Sequence, residues 1–289
     1  MKVVVFGASG QVGRCVLQQA PARWNVYSPS SREVNFLVPG HITEYIQAIR
    51  PRLIINCAAY TAVEMAQSEP VPCYAINATA VEEMAIAANA VGAAVFHLST
   101  DYVFDGQSAE AYTETCVTHP INVYGSSKRS GEIKLAEHCS EHIILRTSWV
   151  FSPFGHNFVN TMLRLAAERT TLAVVSDQFG GPTPASDIAR VLIFMASKLD
   201  DAHFPYGLFH FSGEPHLSWF EFAREIFSLA VNSGWLKAAP ALSPIKALDY
   251  QSKVSRPANS RLSNQKILDV FGVAGADWRN GLRHMLYKR

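Results

Sequence analysis

Short apolar runs alternate with longer segments of helical spacing through the first half of the chain. Lys2–Phe6 is the first such run, followed by a glycine turn and a helix over Val12–Ala20. Leu53–Cys57 and Ala94–Leu98 repeat the strand pattern, and the alanine-rich Ala75–Val91 has helical spacing. Ile143–Arg146 is a further strand, preceded by a helix around Lys128–His138. Apolar runs without polar alternation predict strands buried on both faces, and their exchange with helices predicts a parallel sheet. Because crossover connections are right-handed, the expected fold class is α/β, a doubly wound parallel sheet of Rossmann type.

Beyond residue 150 the pattern loosens. Phe158–Arg169, Ser186–Leu199 and Ser218–Val231 read as helices, while Pro and Gly crowd between Gly180 and Pro215 and again from Pro240 to Pro257. The expectation is a sheet domain over residues 1–150 and a smaller, substrate-binding C-terminal portion over 151–289. A segment at about 172–200 is expected to return to the sheet domain.

Composition narrows the function. The 289 residues are 48% hydrophobic, enough to bury a large core. A net charge of +1 does not suit a protein that grips nucleic acid through its phosphates. The five cysteines (Cys15, Cys57, Cys73, Cys116, Cys139) are scattered and form no C-x-x-C pair. They indicate neither a disulfide framework nor a zinc site, which fits a reducing cytoplasm. No signal peptide is legible, and no apolar run approaches the ~20 residues that cross a bilayer. Nucleic acid and membrane are not expected as partners, and a homodimer is left open.

Candidate chemistry begins at V-V-V-F-G-A-S-G-Q-V-G, which sets Gly7, Gly10 and Gly13, with Ser9, Gln11 and Val12, between a strand and a helix. Glycines there let a diphosphate approach the backbone and the free N–H groups of a helix N-terminus, although three glycines can also serve packing alone. A dinucleotide is the expected cofactor. At the end of the second strand an acid suits the ribose of NAD, whereas a cation suits the 2′-phosphate of NADP. The stretch here ends in Pro29, Ser30, Ser31 and Arg32, which favours NADPH, with NADH as the alternative because Glu33 follows.

Tyr124 and Lys128 stand four apart in N-V-Y-G-S-S-K, and so share a helix face. A tyrosine beside an ammonium can give a proton to a carbonyl oxygen as hydride reaches the carbon. Upstream, H-L-S-T-D-Y-V-F-D-G puts Ser99, Thr100, Asp101 and Tyr102 at the carboxyl end of a buried strand, where open α/β sheets bind ligands.

These residues carry a resemblance. G-A-S-G-Q-V-G, R-P-x-x-I-I-N-x-A-A-Y-T-A-V, S-T-D-Y-V-F-D-G, P-x-N-V-Y-G-x-S-K-x-x-G-E, L-R-T-S-W-V-F, N-F-V-x-T-M-L-R-L-A, D-Q-F-G-G-P-T and S-R-P-A-N-S-R-L together resemble the dTDP-4-dehydrorhamnose reductases, a branch of the extended short-chain dehydrogenases/reductases. The resemblance implies a Thr100–Tyr124–Lys128 triad and a cofactor pocket that includes Ala58, Ala59, Tyr60, Thr61 and Ser99. It implies substrate contacts from Asp101, Tyr102, Val103, Trp149, Asn157, Arg256, Asn259 and Arg261. It also implies reduction of the 4-keto group of dTDP-4-dehydro-6-deoxy-L-mannose to dTDP-L-rhamnose.

Three departures stand out. Pro29 replaces an acid, Glu64-Met65-Ala66-Gln67 replaces D-K-A-E, and Cys15 occupies the place of a magnesium-binding carboxylate, so no metal is expected. Two other readings stay open: reduction of a different dTDP-deoxyhexose, and a non-catalytic NADP-binding regulator resembling that of methionine adenosyltransferase.

Overall fold

A computed structural model of the chain describes residues 1–250, 252 and 254–287. Its main strands are β1 (Lys2–Phe6), β2 (Asn25–Tyr27), β3 (Leu53–Asn56), β4 (Ala94–Thr100) and β5 (His142–Thr147). They run parallel in the order β2-β1-β3-β4-β5, and the strand Gly207–His210 adds to β5 at the far edge. That outer strand lies inside the stretch that reads as irregular in the sequence. Its four residues are too few, between Pro205 and Gly213, to show a pattern.

The order reverses at β1, so the carboxyl ends of β1 and β3 flank the switch point where such sheets bind ligands. Helices cover both faces, as strands without polar alternation require. On one face α1 (Gln11–Gln19) packs with Val3, Val5, Ile55 and Phe96 of the sheet. The other face carries α2 (His41–Ile49) and, after the short α3 (Val63–Ser68) and α4 (Pro70–Tyr74), α5 (Ala80–Val91) and α6 (Val123–His138).

The alanine-rich segment is not one helix over Ala75–Val91. Ala75–Thr79 is a π-turn between α4 and α5, a local widening of the sort that often marks a functional site.

A second core lies beside the sheet. It is built from α7 (Phe158–Glu168), the paired strands Thr171–Val175 and Ala241–Ile245, and two helices further on. Between them α8 (Ala185–Ser197) rejoins the sheet and packs on α1. The two later helices of the second core are α9 (Trp219–Asn232) and, after α10 (Gln265–Phe271) on the outer strand, α11 (Trp278–Tyr287). Among the described residues no helix is long and apolar enough to cross a membrane.

Candidate active site

The glycine turn joins β1 to α1 at the switch point. Gly7 has φ +73°, and a Cβ there would lie 2.4 Å from the Ala58 nitrogen. A Cβ on Gly13 would lie 2.2 Å from the Gly7 carbonyl oxygen. The turn is therefore folded against the loop after β3 more tightly than any side chain permits. Gly10 is the N-cap of α1 and supplies no side-chain cap, which leaves the first-turn amides as donors for a bound anion. These features fit a dinucleotide diphosphate.

Gln11 turns towards the second core. Its Oε1 accepts from Ser152 Oγ at 2.8 Å and from Asn157 Nδ2 at 2.9 Å. Asn157 also caps α7 by accepting from the Asn160 amide, so its polar atoms are engaged within the fold beside the glycine turn.

Ser31 and Arg32 are exposed beyond β2. Glu33, the argument for NADH, folds back so that its carboxylate accepts from both the amide and the hydroxyl of Ser30 at 2.8 Å. These bonds hold its pKa below the ordinary carboxylate value.

The loop of Ala58, Ala59, Tyr60 and Thr61 is fixed by two buried asparagines. Asn56 Oδ1 accepts from the Ala58 amide at 3.0 Å. Asn77, presented by the π-turn, accepts from the Tyr60 amide at 2.8 Å and donates to the Tyr60 carbonyl and to Ser127 Oγ. Nothing in the sequence flags Asn77, because it sits in a run that reads as plain helix.

At the carboxyl end of β4, Thr100 Oγ1 donates to Asp101 Oδ1 at 2.9 Å and accepts from the Tyr102 amide at 3.2 Å. Asn122 caps α6 through the Gly125 amide and so sets Tyr124 in the first turn. The Tyr124 ring stands edge-on to Tyr102, centroids 5.7 Å apart.

Burial raises the Tyr124 phenol pKa above its ordinary value, with a hydrogen bond from Thr100 opposing and Asp101, Tyr102 and Cys73 reinforcing. The sequence leads one to expect a phenol acidified by Lys128, but desolvation dominates. The phenol is protonated at neutral pH, the form a proton donor needs.

Lys128 is 2% exposed and its pKa is pushed down to about 8 by burial, Glu132, Cys73 and Cys57 opposing. Its Nζ donates to the Leu98 carbonyl at 2.7 Å and lies 3.1 Å from His97 Nε2.

The Ser99 hydroxyl is engaged within the fold. It donates to Glu132 Oε1 at 2.6 Å, behind the site. Val103 is fully buried with Phe104, Tyr112 and Leu262, and its side chain packs the base of the motif.

Asp101 is the carboxyl most strongly shifted. Burial pushes its pKa up to about 7, against hydrogen bonds from Ser260, Thr100 and the local backbone, and Oδ2 is buried without a partner. The folded chain holds this proton more tightly than the unfolded chain. The resulting stabilisation is full below the ordinary carboxylate range and is lost as pH rises to about 7. Ionising this carboxyl in place costs on the order of 4 kcal/mol. Asp101→Asn is therefore expected to melt close to the parent near pH 3.5 and several degrees above it near pH 8.5, at ~2–4 °C per kcal/mol. Parallel melting curves across that range would show that the carboxyl does not titrate in this window.

Trp149 follows β5 with a left-handed φ of +46°, costly for a non-glycine residue. Its ring stacks on Trp219, centroids 3.3 Å apart, and its Nε1 donates to Ser260 Oγ at 3.2 Å. Trp219, the first residue of α9, is a neighbour that sequence spacing does not reveal.

The three candidate residues of S-R-P-A-N-S-R-L divide. Asn259 Nδ2 donates to the Ser108 and Glu110 carbonyls at 2.8 Å, and its Oδ1 accepts from the Arg261 amide and Nε. Arg261 also donates to the Ala109 carbonyl, so this pair chiefly holds the loop after Asp105. Arg256 differs. It contacts Tyr102, pairs with Glu64 at 3.4 Å and has a buried Nε without a partner.

The chain matches the family model described as the RmlD substrate binding domain over residues 1–289. It is 42% identical to the dTDP-4-dehydrorhamnose reductase of Aggregatibacter actinomycetemcomitans, over 98% of both chains. To that of Escherichia coli K12 it is 41% identical, over 99% of this chain and 97% of the relative. The crystal structure of dTDP-4-dehydrorhamnose reductase from Bacillus anthracis in complex with NADP superposes with a TM-score of 0.92 at 32% identity, covering 100% of this chain and 99% of that one. A glycine turn, a Thr-Tyr-Lys set with a buried lysine and a free guanidinium nitrogen gather at one edge of a sheet with that fold, and the chain belongs to the family of the RmlD substrate binding domain.

Proposed function

We propose that the chain is an NADPH-dependent reductase of the 4-keto group of dTDP-4-dehydro-L-rhamnose, giving dTDP-L-rhamnose. The observation that carries this reading is the placing of a protonated, half-buried Tyr124 against Thr100 beside a glycine turn that fits a dinucleotide. Gly7, Gly10, Gln11, Val12 and Gly13 would hold the diphosphate, and Ala58 to Thr61 would line the nicotinamide half. NADPH, when bound, supplies the hydride. Tyr124 gives its proton to the carbonyl oxygen, and Thr100, already within reach of the phenol, orients that oxygen by its hydroxyl.

Arg256 would meet the substrate diphosphate, since a buried guanidinium nitrogen without a partner is costly and phosphate oxygens satisfy it. Glu64 is then the partner that substrate replaces.

The direct test is product analysis after incubation with NADPH and dTDP-4-dehydro-L-rhamnose. Stoichiometric NADPH loss with dTDP-L-rhamnose is expected. NADPH binding without turnover would favour a regulator, and turnover of another dTDP-deoxyhexose only would move the substrate assignment.

Cofactor choice is tested separately. With Glu33 tied to Ser30, Arg32 is the charge left to face a 2′-phosphate. Arg32→Ala is expected to raise the KM for NADPH ~10-fold or more, one charge-assisted contact being worth ~1.5–3 kcal/mol, and to leave that for NADH unchanged. Equal changes for both cofactors would remove Arg32 from this role.

A further inference from the structure

Lys128 is the near end of a chain of four polar groups, and the reaction does not use the other three directly. Its far end is a backbone amide, and a backbone amide has only a proton to offer. The Ala58 N–H donates to Asn56 Oδ1 at 3.0 Å, which fixes the orientation of the Asn56 side chain. The Asn56 Nδ2 then faces His97 Nδ1 at 3.0 Å, and being a donor it makes that ring nitrogen an acceptor. His97 is fully buried, and burial, helped by Lys128 and His142, holds its pKa well below the ordinary value, so the ring is neutral. A neutral ring with an accepting Nδ1 carries its proton on Nε2. That N–H points at Lys128 Nζ, 3.1 Å away.

An ammonium cannot accept it. The arrangement is satisfied only when Lys128 is a neutral amine that accepts from His97 and donates to the Leu98 carbonyl. Protonating Lys128 sets two donors face to face. Relief requires the His97 proton to move to Nδ1 and the Asn56 amide to turn its oxygen towards the ring, which takes the acceptor away from the Ala58 N–H.

We propose that Asn56 and His97 are positioning residues forming a two-state hydrogen-bond chain, which couples the charge on Lys128 to the backbone of the Ala58–Thr61 loop. The inference rests on the reductase reading for its consequence in turnover, but the chain itself is independent of substrate. In one state, favoured above about pH 8, the lysine is neutral and the loop amide is satisfied. In the other state the lysine is an ammonium, able to stabilise the Tyr124 phenolate as the proton leaves, and the loop amide is released.

The surrounding groups agree with such a switch. Glu132 on α6, Cys73 on α4 and Cys57 after β3 favour the ammonium, while burial opposes it and brings the lysine to about 8. Neither thiol competes near that pH, because burial pushes Cys57 up to about 12 and raises Cys73 as well. Glu132 is paired with Arg146. His142, which faces His97 from β5, donates to or accepts from nothing in the chain of four.

The test is nitrogen-15 NMR of histidine-labelled protein, free of cofactor and substrate, with the His97 signals identified by their loss in His97→Gln. The expected result is the Nε2–H tautomer at pH 9.5, converting to Nδ1–H as pH falls through about 8. A single tautomer from pH 6.5 to 9.5 overturns the proposal, whatever the substrate proves to be.

Asn56→Asp gives a second arm, because a carboxylate accepts from the Ala58 N–H and from His97 Nδ1–H together. It is expected to lock the Nδ1–H tautomer throughout and to move the alkaline limb of kcat upward by at least one pH unit. A merely structural asparagine would lower activity at all pH values without moving the limb, and that result also overturns it. Should this variant not fold, the titration of the unmodified protein decides.

Discussion

Tyr124→Phe is expected to lower kcat by a factor of roughly 10²–10⁴, the range for removing a positioned general acid. The substitution removes one oxygen and keeps the edge-on contact with Tyr102, so folding and NADPH affinity should stay close to those of the parent. Lys128→Met is expected to lower kcat and also to weaken NADPH binding, because Lys128 is wired through His97 and Asn56 to the loop proposed to line the nicotinamide. A tyrosine and lysine four apart on an exposed helix face would behave otherwise, costing at most ~0.5 kcal/mol and leaving turnover alone. The burial of Lys128 already removes that reading of the pair. Steady-state kinetics and NADPH titration of both variants decide. Near-normal turnover in Tyr124→Phe would show that the proton comes from elsewhere.

The parts of this site legible in the sequence are those whose chemistry is local. A glycine turn after an apolar run, a hydroxyl cluster ending a strand and a Tyr–Lys pair one turn apart can each be read within a dozen residues. Even so, motif membership did not fix the direction in which each side chain is used. Ser99 and Thr100 are adjacent, yet the pleat sends one hydroxyl to Glu132 and leaves the other beside Tyr124. Asn157 and Asn259 look like polar ligands in a motif, but a cap and a loop tie take up their amides.

What was illegible depends on pairings distant in sequence. Asn77 reaches Tyr60 only because an extra residue widens the helix at Ala75–Thr79, and alanine-rich spacing conceals that widening. His97 reads as one polar residue in a buried strand until Asn56, 41 positions earlier, is found beside it. Trp219 meets Trp149 because the first turn of α9 stacks on the segment that follows β5, which no periodicity encodes.

Glu132→Gln is expected to be the most destabilising of the substitutions considered, by ~3–5 kcal/mol, because it leaves a buried charge without its counterpart. Arg146 is 1% exposed and forms a two-pronged contact with Glu132, Nε to Oε1 at 2.8 Å and Nη2 to Oε2 at 2.7 Å. Its guanidinium lies over the Phe104 ring, 5.1 Å from the centroid, and its charge helps burial hold His210 down to about 3. No second carboxylate is paired with it among the described residues. A neutral glutamine can still accept from Ser99 or from Arg146, but it does not balance the cation. Adding Arg146→Met to Glu132→Gln should therefore restore part of the lost stability, since the double variant buries no unpaired charge. Denaturant unfolding of the two single variants and the double variant measures this directly. Because Glu132 also favours the Lys128 ammonium, the double variant should refold the core yet show a kcat profile whose lysine-linked limb lies at lower pH than in the parent. If the double variant is less stable than either single one, the pair contributes through its hydrogen bonds and not through charge balance.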